Sequence, residues 1–441
     1  MTQSFLQILI VLLVGICLIV VLTAKLRLHP FFALMIASFV VGLGVQLPVI
    51  EVVNTMKEGF GNILRSLGFI ILLGTALGVI LERNGSTSVM ANYILARIGK
   101  RYPALAMSVT GFIVGLPIFC DSGFIVLSGL NSTLAKRTGT PLVIMAVSMA
   151  TGLYSVHCLI PPHPGAAAAA GMIGVSYGKL IIMGILVAIP AMLAAYFYAG
   201  YAGKKITFTT SSENPDESIS DTVVSPSVFN SFLPVILPIL LIATRSMLPA
   251  GLSVFGKVFA VLGDPVIALS AGVLLALLGS RSGKDRKINH WLQESAEKAG
   301  GILVIIGGGG AFGAVLAATK IGEHMGAVLP LAGMGMLFPF LLTFVLKTAQ
   351  GSSTVAIITA ASIVQPLLPA LGFITPDQKL ICVLSMGAGS MMISHANDAY
   401  FWVIAKFERI DMPAMLKVYS VATVIMGLVS LLMVYLLSFF L

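Results

Sequence analysis

The chain alternates long apolar runs with short polar ones, and most of the apolar runs are long enough to cross a bilayer. A hydrocarbon core of about 30 Å takes about 20 apolar residues as helix. Segments 5–24, 30–49, 66–81, 141–160, 178–200, 229–249, 263–280, 300–319, 379–394 and 415–440 each suit one crossing. Residues 103–135 and 330–372 are each too long for a single span and carry a polar break near the middle, so each reads as a re-entrant hairpin. The expected fold is an all-α integral membrane protein with about ten transmembrane helices plus two re-entrant hairpins.

Four polar breaks interrupt this pattern, two in each half of the chain. They are Phe119-Cys120-Asp121-Ser122-Gly123, His157 to Gly165, Lys347 to Thr354, and Ser394-His395-Ala396-Asn397-Asp398. Non-helical polar backbone at membrane depth persists only where protein buries it or where it lines a cavity. When it recurs in corresponding places of two halves, it marks a transporter's binding site.

Basic residues orient the spans. With the N-terminus outside, 18 of the 26 Lys and Arg fall on the inner side and 8 on the outer, Lys347 and Lys320 among the latter. That bias places the first hairpin on the cytoplasmic side and the second outside. Residues 66–203 then repeat, inverted, as 300–441, each beginning with a Gly-rich helix followed by an amphipathic piece, Glu82–Lys100 or Lys320–Leu329. Residues 1–65 and 229–299 are left as scaffold, and 204–228 form a polar cytoplasmic linker. Phe5 to Ala24 lacks a basic region before it, so it reads as a first helix that is not cleaved.

Composition agrees. Of 441 residues, 58% are hydrophobic and 10% charged, with a mean hydropathy of +1.02; soluble domains carry roughly 25% charged residues. The net charge of +9 comes from scattered or briefly clustered basic residues, so the expected partner is the lipid bilayer and not nucleic acid. Cys17, Cys120, Cys158 and Cys382 have neither a CxxC nor zinc-ligand spacing, and are read as packing residues. The Gly307–Gly310 run lies in an apolar helix with no Lys-Ser/Thr after it, which points to close helix approach, not a nucleotide loop.

The breaks carry the candidate chemistry. Asp121, at the first hairpin's turn, is a proton or cation site or else a cap of the following half-helix. His157 and His163 flank the proline break and either relay protons or hold the break together by hydrogen bonds. Gln350-Gly351-Ser352-Ser353-Thr354 opens a half-helix, where free N–H groups and hydroxyls suit a carboxylate, unless they only cap it. Asp398 with His395 is a coupling pair or a solvated helix end. No metal site and no cofactor are expected.

Asp121-Ser122-Gly123-Phe124 after Gly115-Leu116-Pro117, then Pro161-Pro162-His163-Pro164-Gly165, Gln350 to Ala356, and Ser394 to Asp398 with Phe401-Trp402, together resemble the gluconate permease (gluconate:proton symporter) family. The match spans nearly the whole chain and keeps the motifs in order. The resemblance implies a bacterial inner-membrane proton symporter for gluconate or a related sugar acid, in which paired hairpins form a transport domain against a dimeric scaffold. On this reading Asp121, Ser122, Gly123, His163, Gln350, Gly351, Ser352, Ser353, Thr354, His395 and Asn397 meet the substrate. Asp121, Asp398, His157 and His163 are the proton-coupling set, and the protein is a homodimer with a periplasmic N-terminus. Two alternatives share the architecture: another small carboxylate such as D-serine, or sodium in place of the proton. An intramembrane enzyme is disfavoured, since the chain has no HExxH and no GxSxG.

Overall fold

A computed structural model describes residues 5–99, 101–204, 226–247, 254–280, 285–319, 333–396 and 398–441. Among them every regular element is helical. The first helices are α1 (Phe5–Val20), α2 (Pro30–Gly44), α3 (Val49–Arg83), α4 (Ser86–Ile94), α5 (Pro103–Gly115) and α6 (Cys120–Thr138). They are followed by α7 (Leu142–Leu159), α8 (Pro164–Ile173), α9 (Tyr177–Gly203), α10 (Val228–Met247), α11 (Val254–Leu262) and α12 (Pro265–Leu278). The last are α13 (Asp285–Ala318), α14 (Leu337–Gln350), α15 (Ser353–Val364), α16 (Pro376–Met391), α17 (Ala399–Phe407) and α18 (Met412–Leu437).

Six stretches among the described residues are long and apolar enough to cross a membrane: α3, α7 with α8, α9, α10, the apolar part of α13 and α18. The chain is an all-α, multi-span membrane protein. Two helices extend beyond the boundaries expected from sequence. The span expected at 66–81 is the second half of α3, 35 residues long and about 50 Å at 1.5 Å per residue. Its first half carries Glu51, Lys57, Glu58 and Arg65, which fall outside the expected spans; they are polar faces of a continuous helix whose Val52, Met56 and Ile63 are buried. The span expected at 300–319 likewise begins earlier, at Asp285. The amphipathic piece Lys320–Leu329 and most of the 204–228 linker lie outside the described residues.

Glycine explains how α3 and α13 fit together. A β-carbon on Gly59 would strike the Gly310 carbonyl oxygen, and one on Gly310 would strike that of Gly59. The two helices therefore touch backbone to backbone, as small residues allow between membrane helices. At the centre lies α7, every residue of which from Val143 to Leu159 is buried, surrounded by α5, α6, α9 and α16. Three of the cysteines (Cys120, Cys158 and Cys382) are buried free thiols.

Each polar break is a real interruption. Leu116 to Phe119 join α5 to α6, and Ile160 to His163, where prolines withdraw backbone donors, join α7 to α8. Gly351 takes φ +76° between α14 and α15, a left-handed turn that glycine adopts without steric cost. Between α16 and α17, Ile393 adopts φ +41°. A β-branched residue there is strained, and such strain collects at functional sites.

Candidate functional site

The four half-helices that follow the breaks, α6, α8, α15 and α17, all start at one cavity of about 390 Å³. That is within the usual range for small-molecule sites. The first break supplies Phe119, Cys120, Asp121 and Ser122; the second supplies His157 and Pro164. The third supplies Gly351 to Val355, and the fourth Asp398, Ala399 and Tyr400. Tyr154 of α7 and Lys298, Ile302 and Ile305 of α13 complete the wall.

The electrostatics differ from one helix start to the next. Asp121 lies in the first turn of α6, its Oδ1 accepting from the Ser122 amide at 3.0 Å, and among the described residues it belongs to no ion pair. Asp398 caps α17, its Oδ1 accepting from Tyr400 N at 3.0 Å. Its Oδ2 accepts from Lys347 Nζ at 2.7 Å and from the Ser394 hydroxyl. Lys347 is fully buried and also donates to Gly351 O at 3.3 Å. The start of α15 has no acid: Ser352 caps it, its hydroxyl accepting from Val355 N at 3.3 Å. Thr354 Oγ1 meets His157 Nε2 at 3.3 Å. Partial positive charge at helix N-termini attracts anions; α6 and α17 already hold a carboxylate there, and α15 does not.

Several expected residues stand elsewhere. His163 Nε2 sits 2.6 Å from Gly115 O; a carbonyl only accepts, so this nitrogen donates, and the ring ties the second break to the end of α5. It is not in the cavity wall. Gly123 is buried against the Leu153 side chain, also off the wall. His395 Nε2 lies 3.2 Å from Thr348 O and is not paired with Asp398. The Gln350 amide is buried with no partner among the described residues. Asn397 lies outside the described residues.

Two lysines counted only as orienting charges have specific partners. Lys347, expected among the outer charges, is the cation of the Asp398 pair. Lys298, expected among the inner charges, lines the cavity and bonds Glu294 at 3.0 Å. Lys347 is the one charged residue of the apolar helix α14. Glu294 also takes Arg83 at 2.8 Å, so the Glu82–Arg83 terminus of α3 is anchored to α13.

The sequence pattern of the GntP family of permeases matches residues 7–440. The chain belongs to that family. A gluconate permease of Pseudomonas aeruginosa is 33% identical, with 95% of each chain covered. A D-serine transporter of Escherichia coli is 30% identical, with 97% of each chain covered. Among solved structures, the YdaH transporter of Alcanivorax borkumensis has the same fold at a TM-score of 0.65 and 17% identity, covering 89% of this chain and 90% of its own. The chain is therefore a membrane permease of the GntP family. Its four breaks are the parts of that fold that meet at the cavity.

Proposed function

We propose that the chain is a proton-coupled symporter that brings gluconate or a related sugar acid across the bacterial inner membrane. The observation that carries this reading is the contrast inside one cavity between the acid-free start of α15 and Asp121, which has no ion-pair partner among the described residues. A substrate carboxylate at Ser352–Thr354 and an ionised Asp121 are like charges in one small space. Binding one of them favours neutralising the other, so substrate and proton load together. Lys347 does not supply the missing charge, because Asp398 already holds it. Ser122, Ser353, His157 and Lys298 are further polar groups of the wall available to sugar hydroxyls; His163 is assigned to holding the break.

For the architecture we propose ten spans, with 103–135 and 330–372 as opposed hairpins and 66–203 repeated, inverted, as 300–441. Support comes from the order of elements: α5/α6 then α7/α8 in one half, α14/α15 then α16/α17 in the other, each pair broken at the cavity. Residues 1–65 and 229–299 act as the scaffold of a homodimer, with the N-terminus periplasmic.

Proteoliposome uptake of labelled gluconate, with and without an inward pH gradient, tests the reading. Accumulation that follows the gradient and collapses with a protonophore is expected. Uptake that ignores pH and requires sodium would sink proton coupling. The D-serine relative sustains a second reading of the substrate, and competition by D-serine but not by gluconate would favour it.

A further inference from the structure

Beyond the cavity, α6 and α17 are joined a second time by a carboxylate that the site above does not use. Glu408 closes α17, its amide donating to Ile404 O at 3.2 Å, and the residue is only 2% exposed. Its Oε1 accepts from Asn131 Nδ2 at 2.7 Å and its Oε2 from Ser132 Oγ at 2.8 Å, both on α6. Asn131 and Glu408 each follow a cavity aspartate by ten residues, Asp121 and Asp398 respectively, which is about 15 Å along a helix. Both half-helices thus run from the cavity to this contact.

No cation meets Glu408 among the described residues. Lys136 and Arg137 on α6, Lys406, Arg409 and Asp411 beside it, and Lys417 on α18 are exposed. None of the buried tyrosines of the surrounding helices, nor His157, bonds Glu408, and the Tyr419 hydroxyl has no hydrogen-bond partner among the described residues. Tyr154 and Tyr400 donate to Ser390 O and Ala150 O, His157 meets Thr354, and Tyr419 packs against Tyr400 and Phe401.

A buried carboxylate with two neutral donors and no counter-charge is poorly stabilised when ionised. Burial pushes the Glu408 carboxyl up to about 7, against the opposing pull of its Ser132 and Asn131 hydrogen bonds. Asn131 suits either protonation state. Its Nδ2 donates to the carboxylate, while its Oδ1 has no partner among the described residues, so no second bond fixes the amide. Turned by half, it presents Oδ1 to the hydroxyl of the neutral acid.

We propose that Glu408 is a proton-binding site separate from the cavity, whose protonated form holds α6 and α17 together and whose ionised form lets them part. Its place in transport rests on the proton coupling proposed above; its titration does not. The sign follows from the raised value. The contact is strongest where the carboxyl is neutral whether α6 and α17 are joined or parted, below its ordinary value of about 4.3. It weakens as pH climbs from there through about 7 and changes no further above that.

The test uses the full chain in lipid nanodiscs. Infrared difference spectra across pH 5 to 9 (a range of about two units either side of neutrality) should show a protonated carboxyl band that disappears with a midpoint near neutrality. That band should be missing from Glu408→Gln and kept in Asp121→Asn. Hydrogen exchange over 127–138 and 399–410 should rise through the same midpoint in the parent and stay flat with pH in Glu408→Gln. Should that variant fail to insert, Ser132→Ala serves instead: it removes a donor to the carboxylate and should move the midpoint to higher pH. A band unaffected by Glu408→Gln, or a midpoint unmoved by Ser132→Ala, overturns the assignment. Proton-driven uptake with no such band overturns it alone. Uptake indifferent to pH with the band present overturns the transport reading and supports Glu408 as the titrating group.

Discussion

Lys347 Nζ lies 2.7 Å from Asp398 Oδ2, with the lysine fully buried and the aspartate side chain 8% exposed. The pair joins the end of α14 to the start of α17, across two different breaks of the chain. Removing one member of a buried pair strands the other charge, at a cost of about 3–5 kcal/mol. Lys347→Met and Asp398→Asn should each lower the thermal midpoint of the purified protein markedly. The double substitution should recover much of the loss, since neither charge is then left alone. Thermal unfolding of the four proteins in detergent gives the cycle, and additive losses would mean that the two groups do not interact.

That pair changes how coupling is best probed. Asp398→Asn disturbs an ion pair, so lost transport in that variant does not single out a proton carrier. Asp121 has no such partner among the described residues. Asp121→Asn should abolish accumulation against a gradient and leave counterflow exchange of the substrate largely intact. If Asp121→Asn concentrates gluconate as the parent does, the proton is carried elsewhere.

Ser352 and Thr354 should separate, although they are neighbours. Ser352 caps α15, so Ser352→Ala should cost about 0.5–2 kcal/mol of stability. Both line the cavity, but Thr354 caps nothing and meets His157, so Thr354→Ala should weaken apparent affinity with little change in stability, whereas Ser352→Ala should lower both. A neutral hydrogen bond of about 0.5–1.5 kcal/mol corresponds to roughly 2- to 12-fold in Kd. Substrate titration by intrinsic fluorescence together with thermal midpoints would resolve the two, and an equal loss of stability in both variants would refute the division.

His163 donates to the Gly115 carbonyl from behind the cavity wall. His163→Gln, which keeps a donor, should retain uptake with an unaltered pH profile, whereas His163→Ala should reduce the yield of folded protein. A pH profile displaced in His163→Gln would return this residue to the coupling set.

The breaks were legible because proline, clustered hydrogen-bonding residues and ionisable groups are costly within a lipid-facing helix and persist where the helix is interrupted. Pro161 to Pro164 and Gly351 do interrupt helices, and the residues around them do reach one cavity. The identity of Asp398's partner was not legible, because it stands 51 positions away and only folding brings the two together. A lone lysine in an apolar stretch also looks the same whether it marks a membrane boundary or neutralises a buried acid. The extents of α3 and α13 were missed for a different reason. Polar residues spaced along one face of a helix resemble a loop when their periodicity is not followed.

With Asp121 and Asp398 already seated at the starts of α6 and α17, the acid-free start of α15 leaves attraction for an anion in its peptide groups more than in side chains. Backbone is largely indifferent to substitution. Tyr154, Ile302, Ile305 and Tyr400 stand around the same space, and the two tyrosine hydroxyls are occupied with Ser390 O and Ala150 O. On the proposed function, capture of the acid group and discrimination among the molecules that carry it fall to different atoms. Evolution is free to retune the second without dismantling the first, so one scaffold can diversify its cargo through a few wall positions.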